Sequence, residues 1–167
     1  MEENVTAVEM PKKRPTFLTV LCILSFIGSG GGFLYYVYNY FTFENTYSEQ
    51  VAKFTEAVEM MEDNGADSGF LYNSAVNKLV ELNAMNDNLD LITGAFCLFA
   101  LLSFIGAIMM WKLKKNGFYL YTFTNVFALL IPLALIDFNA MLMNTLIGAI
   151  FTIIFIIMYA VNLKHMK

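Results

Sequence analysis

Residues 91–111 read LITGAFCLFALLSFIGAIMMW and are followed at once by Lys112, Leu113, Lys114 and Lys115. The run carries no charge. A helix of that length is about 30 Å long, the thickness of a bilayer's hydrocarbon core. A membrane β-strand would be shorter and would alternate apolar with polar residues, which this run does not do. The stretch therefore predicts a transmembrane helix that ends on a basic edge.

Three further stretches repeat the pattern. Together they predict an all-α polytopic membrane protein with transmembrane helices at 16–41, 91–111, 117–136 and 144–162. The remainder divides into an N-terminal segment (1–15), a large segment (42–90), a short link (112–116), a turn (137–143) and a tail (163–167). Composition agrees: of 167 residues, 58% are hydrophobic and 14% charged, with mean hydropathy +0.59. A soluble domain carries roughly 25% charged residues, and disorder requires low hydrophobicity. Lys12, Lys13 and Arg14 ahead of Phe17 have the outline of a signal peptide. No small-residue cleavage site follows and the apolar run continues to Phe41, so it reads as an uncleaved signal anchor.

Lysine and arginine set the orientation. With the N-terminus inside, Lys12, Lys13, Arg14, Lys112, Lys114, Lys115, Lys164 and Lys167 are all cytoplasmic, eight of the ten basic residues. The expected topology has both termini in the cytoplasm and 42–90 outside. Tyr35, Tyr36, Tyr38 and Tyr40 at one depth, and Trp111, Tyr119, Tyr121 and Tyr159 at the other, read as interfacial belts.

The 42–90 segment holds ten of the 14 acidic residues against Lys53 and Lys78 alone. A turn signal at residues 63–69, Asp-Asn-Gly-Ala-Asp-Ser-Gly, divides it. Val51, Phe54, Val58 and Met61 precede the turn at helical spacing; Leu71, Ala75, Leu79, Leu82, Met85 and Leu89 follow it. The segment thus predicts an extracytoplasmic helical hairpin between transmembrane helices 1 and 2. Ser48 or Thr46 would cap its first helix, and its second would run on into transmembrane helix 2.

Chemical equipment is sparse. The net charge of −4 argues against nucleic acid. Cys22 and Cys97 each lie about 9 Å deep but from opposite faces, too far apart for a disulfide, so both are expected as free thiols. His165 is the only histidine, and no zinc or redox spacing exists. Glu62, Asp63 and Asp67 do not fit a calcium loop. Asn4-Val5-Thr6 matches a glycosylation sequon, but on the cytoplasmic side. No catalytic, cofactor-binding or metal-binding residues are expected, and the chain is not expected to be an enzyme.

Two small-residue stripes do stand out: Cys22, Ser25, Gly28 and Gly32 on the first helix, and Cys97, Ala100, Ser103 and Ala107 on the second. Small side chains let membrane helices approach closely, so these faces either hold the bundle together or dock a partner's helix. The run from Gly28 to Gly32, costing up to ~1 kcal/mol per glycine, invites a kink or local unwinding. Asn125 is the most polar intramembrane residue, beside Thr122 and Thr124, and fits an inter-helix hydrogen bond or one polar contact to a lipid or a quinone-like ligand. Pro132 is expected to kink its helix. Leu24-Ser25-Phe26-Ile27-Gly28 recurs as Leu102-Ser103-Phe104-Ile105-Gly106; duplication builds transporters, but five residues are too few to establish it.

The stretch Lys13-Arg14-Pro15-Thr16-Phe17-Leu18-Thr19-Val20-Leu21-Cys22-Ile23-Leu24 resembles the opening of an uncharacterised family of small four-helix bacterial inner-membrane proteins. Trp111-Lys112-Leu113-Lys114-Lys115, Gly117-Phe118-Tyr119-Leu120-Tyr121 and the ending Tyr159-Ala160-Val161-Asn162-Leu163-Lys164-His165-Met166-Lys167 are similar to the same group. The resemblance implies a bacterial source and a four-helix topology, and brings no catalytic residues. Claudins share the outline, but the Trp and paired Cys of their first loop are missing here. The expected function is a non-catalytic accessory or scaffolding subunit of a larger inner-membrane complex, docking through the small-residue helix faces and the outer hairpin, with the lipid bilayer and other integral membrane proteins as partners. The alternative is a homo-oligomeric transporter, channel or lipid-handling protein.

Overall fold

The computed structural model describes residues 14–167. Lys12, Lys13 and the Asn4-Val5-Thr6 sequon lie outside the described residues. Five α-helices follow one another: α1 Thr16–Asp63, α2 Phe70–Asp87, α3 Leu89–Trp111, α4 Lys115–Leu135 and α5 Phe138–Val161, with a final 3-10 turn, Leu163–His165. The described residues contain no strand. α1, α3, α4 and α5 are each long and apolar enough to cross a membrane.

The helix boundaries differ from the predicted ones in three places, each for a local reason. α1 is one rod of 48 residues, about 72 Å long, with no break near 41 and no cap at Ser48 or Thr46. Capping answers N–H groups that have lost their carbonyls, and neither Gly nor Pro interrupts the ladder between Phe33 and Asp63. The Thr46 hydroxyl instead donates back to the carbonyls of Thr42 (3.1 Å) and Phe43 (3.2 Å). The Gly28 to Gly32 run is helical as well. In hydrocarbon an unpaired backbone group costs several kcal/mol, more than the propensity cost of a glycine.

Second, α2 does not flow into α3. Asn88 (φ −133°, ψ 31°) separates them, and its side chain donates to the Ala84 carbonyl at 3.4 Å, the local competition with helix geometry that Asn provides. Third, residues 137–143 are not a turn. Asp137 accepts from the Ala140 N–H at 2.7 Å, an N-cap that starts α5 at Phe138, six residues ahead of the expected start. α4 runs through Pro132 to Leu135, within a residue of its predicted end. Proline has no N–H, so the Ala128 carbonyl is left without its helical partner.

The tightest contact in the molecule is between α3 and α4. A Cβ placed on Gly117 would lie 2.6 Å from the Gly106 carbonyl oxygen, and one on Gly106 would lie 3.0 Å from the Tyr121 nitrogen. The two backbones touch. Around this crossing, at the lysine-rich end, sits the core: Leu18, Leu21, Cys22, Met110, Phe118, Tyr121, Tyr159 and Met166. Lipid tails are as apolar as these side chains, so dispersion and close fit rather than expulsion of water hold the helices together.

The same end is closed by an unusual cap. Lys114 N–H bonds the Met109 carbonyl and Leu113 N–H the Met110 carbonyl, the paired bonds of a helix terminus that wants glycine at the left-handed position. Leu113 occupies that position at φ 60°. Its cost, roughly 1–2 kcal/mol, is offset by packing on the core and by the C-terminal tail. Lys167 N–H donates to the Leu113 carbonyl at 2.7 Å, and Lys115 N–H to the Lys167 carbonyl at 2.8 Å. The Arg14 guanidinium lies 3.8 Å over the Trp111 ring.

Away from this end the helices diverge. α3 contacts α1 and α4 extensively and α4 contacts α5, whereas α1 and α5 scarcely meet. The outer part of α1 lies antiparallel to α2. Three tyrosine hydroxyls cross-link this two-helix arm and its base: Tyr40 to Asp90 (2.9 Å), Tyr47 to Asn83 (2.9 Å) and Tyr72 to Glu62 (2.7 Å). Hydrogen bonding to the Glu62 carboxylate pushes the Tyr72 phenol above its ordinary value. That bond is therefore fully present below the phenol's ordinary pKa and is lost as pH rises through the raised one. Ala75 and Leu82 are buried as the periodicity predicts, but Leu71 is exposed; in that first turn of α2 it is Tyr72 that reaches α1, at Glu62.

The glycine pair gives a direct test. Gly117→Ala must force the α3 and α4 backbones apart and is expected to destabilise the protein by about 1–3 kcal/mol. Gly28→Ala meets nothing within 4 Å and should be near neutral; thermal unfolding of both variants in one mild detergent compares them.

Candidate functional site

All four membrane-length helices contribute side chains to one polar node. Ser25 of α1 lies 2.8 Å from the Tyr159 hydroxyl of α5 and donates across 3.4 Å to the Tyr121 hydroxyl of α4. One turn along α4, the Asn125 amide donates to the Ser103 hydroxyl of α3 at 3.0 Å and to the Tyr121 carbonyl at 2.8 Å. The Tyr121 and Tyr159 rings meet edge to face, 5.1 Å apart. With Ser25 donating to Tyr121, Tyr159 is the donor to Ser25. The Tyr121 proton, at the end of that chain, has no acceptor among the described residues.

Above the node, toward the end opposite the lysines, the diverging helices enclose a cavity of ≈ 520 Å³. Its deep wall carries Ser103, Tyr121, Thr124 and Asn125; Phe96, Phe99, Phe151 and Phe155 give it an aromatic lining. None of its lining residues is charged.

The residues singled out from the sequence are split by this arrangement. Cys22 and Ala107 are fully buried in the packed end. Ser25, Ser103 and Asn125 are brought together in the node. Gly28, Gly32 and Ala100 line the cavity, so the outer half of the α1 stripe is not pressed against a helix of this chain. Cys97 lies apart, half-buried, in a groove with Val37, Tyr40 and Thr93. Both cysteines are free. Among the described residues, no three His, Cys, Asp or Glu side chains converge.

Sequence reasoning missed the two tyrosines. Tyr121 and Tyr159 are not part of an interfacial belt: Tyr159 is 0% exposed and Tyr121 is buried, while Tyr119 alone of the three faces outward. The available signal was spacing, since Tyr121, Thr124 and Asn125 share a helix face. The two copies of the Leu-Ser-Phe-Ile-Gly motif are side by side. Their phenylalanines, Phe26 and Phe104, pack at 5.2 Å, and both their serines enter the node.

No protein-family model, curated protein or solved structure matches the chain.

The node is expected to tie α5 to the rest of the bundle. Tyr159→Phe removes the donor to Ser25 and leaves a buried hydroxyl short of a partner, a loss of about 1 kcal/mol. Ser25→Ala in the Tyr159→Phe background should then cost little more. Unfolding midpoints of the two single variants and the double variant give the coupling; additive losses would show that the hydroxyls do not act as one unit.

Proposed function

We propose that the chain is a non-catalytic accessory or scaffolding subunit of a larger bacterial inner-membrane complex, and that it docks through its two-helix arm. One observation carries the reading. The arm ends in exposed apolar side chains, Met60 at 56%, Phe70 at 75% and Leu71 at 70% exposure, with Glu59, Glu62, Asp63 and Asp67 nearby in the sequence. Large apolar groups held in water at the end of a braced arm are the signature of a contact surface, and the surrounding acids suit a partner with an apolar pocket and a basic rim. Methionine suits such adaptable contacts.

The orientation belongs to the same proposal. Lys112, Lys114, Lys115, Lys164 and Lys167 all belong to the end where the tail bonds the α3–α4 link, which supports a cytoplasmic placement of that end by the positive-inside rule. The acidic helical hairpin is then extracytoplasmic. The bacterial source and inner membrane in this proposal rest only on the resemblance read from the sequence at both chain ends and the inner link.

A second reading, a homo-oligomeric transporter, channel or lipid-handling protein, is favoured by the cavity between the helices. The two separate on gentle extraction from the native membrane followed by native-gel migration and mass spectrometry. The docking reading expects a large species with defined, stoichiometric partners that Phe70→Ser with Leu71→Ser releases. A small species containing this chain alone sinks it. For orientation, a cysteine at Ser68 should react with an impermeant reagent in intact cells and one at Asn116 should not, in a background lacking Cys22 and Cys97; the reverse pattern inverts the topology.

A further inference from the structure

We propose that the cavity between α1, α3, α4 and α5 binds an uncharged lipid with a hydroxyl or carbonyl head, admitted sideways from the bilayer between α1 and α5. The inference does not rest on the docking reading. It rests on the size of the space, its unpaired polar groups and the position of its mouth.

The volume, ≈ 520 Å³, is that of a small-molecule site. A partner helix, 10–12 Å across with its side chains, would sit over the mouth without filling the space beneath. A charged head is disfavoured, because no lining residue carries a counter-charge and an unpaired charge at this depth is expensive.

Several polar groups here lack partners. Thr145 Oγ1 lines the cavity, is shielded from solvent and makes no hydrogen bond. Ser103 and Tyr121 are each more than nine-tenths buried, and neither hydroxyl proton has an acceptor among the described residues. The Asn125 carbonyl oxygen accepts nothing there, and the Ala128 carbonyl, freed by Pro132, belongs to the same wall. In hydrocarbon each such group costs free energy until something pairs with it. Hydroxyl donors beside amide and backbone acceptors match a ligand that offers carbonyl or hydroxyl oxygens and no charge. The phenylalanines of the lining take its apolar body.

The mouth is defined by exposure. Among the lining residues only Leu24, Gly28, Asn144 and Phe151 are exposed, and all four belong to α1 and α5. That is the seam where the bundle fails to close. Leu24, Gly28 and Phe151 lie within apolar spans, so the opening faces lipid. The absence of a side chain at Gly28 keeps it clear: a Cβ there would meet nothing within 4 Å.

The test uses the full chain in phosphatidylcholine nanodiscs with a diacylglycerol bearing a photoreactive group on one acyl chain. Cross-linked peptides are mapped by mass spectrometry. The expected result is labelling concentrated within 24–36 and 141–155. Phosphatidic acid carrying the same chain should label these peptides much less. Gly28→Phe plugs the mouth and should lower cavity labelling about tenfold. Gly31→Phe also enters open space but lies off the cavity lining, so it should leave labelling unchanged. The map on the unaltered protein decides the matter even if a variant misfolds. Labelling spread evenly over outward residues such as Ile105 and Leu130 overturns the proposal. So does equal labelling by the charged probe. So, too, does a partner polypeptide found cross-linked in the mouth after gentle extraction.

Discussion

At Gly106 and Gly117 the backbones of α3 and α4 come into contact. A side chain at either position would hold the crossing open. With both absent, the lysine-rich end draws together, and Leu18, Cys22, Met110 and Tyr159 can be excluded completely from the surroundings. The strained Leu113 cap and the returning tail complete that end. The helices leave this fixed point at their own angles, and nothing comparable pulls α1 and α5 together at the other end. The cavity is the geometric result of one tight crossing and one open seam.

Polar chemistry in the bundle follows the same plan. Ser25, Ser103, Tyr121, Asn125 and Tyr159 lie where the packed end gives way to the open one. Because the bilayer offers little hydrogen bonding, these side chains must pair with one another or with whatever enters the space above. Each of the five makes at least one such bond, which fixes the registry of four helices. The donor and acceptor capacity left on Ser103, Tyr121 and Asn125 faces the cavity. The lack of any formal charge there separates this interior from an ion pathway, which relies on carboxylates and basic groups.

The apolar runs made the four membrane-length helices legible in the sequence, because twenty uncharged residues have few other uses. Their ends were less legible. Nothing in the local chemistry of α1 marks where hydrocarbon stops, since Thr42 and Thr46 serve a continuing helix as readily as a new one. At Asp137 the capping signal was present but was outweighed by hydropathy, which starts a helix at its first sustained apolar stretch. The candidate site was half legible. Ser25 and Ser103 stand out only as small residues of the two stripes, and Asn125 as the most polar residue of an apolar run. Tyr121 and Tyr159 were assigned to the interface because tyrosine is at home there, and only the fold shows their hydroxyls turned inward. Small-residue spacing identified a face of α1 but not its neighbour, while the glycines that matter most for packing, Gly106 and Gly117, sit on a different pair of helices.

The uninterrupted length of α1 has a mechanical meaning. One flank of the cavity mouth, at Leu24 and Gly28, and the far tip near Met60 belong to the same stiff rod, whereas the α2–α3 connection can flex at Asn88. A rod that projects about 40 Å beyond the membrane core turns a tilt of about 10° within the bilayer into a displacement of about 7 Å at its end. If the apolar part of α1 spans the bilayer, a tilt that widened or closed the seam would displace that apolar surface by the same lever.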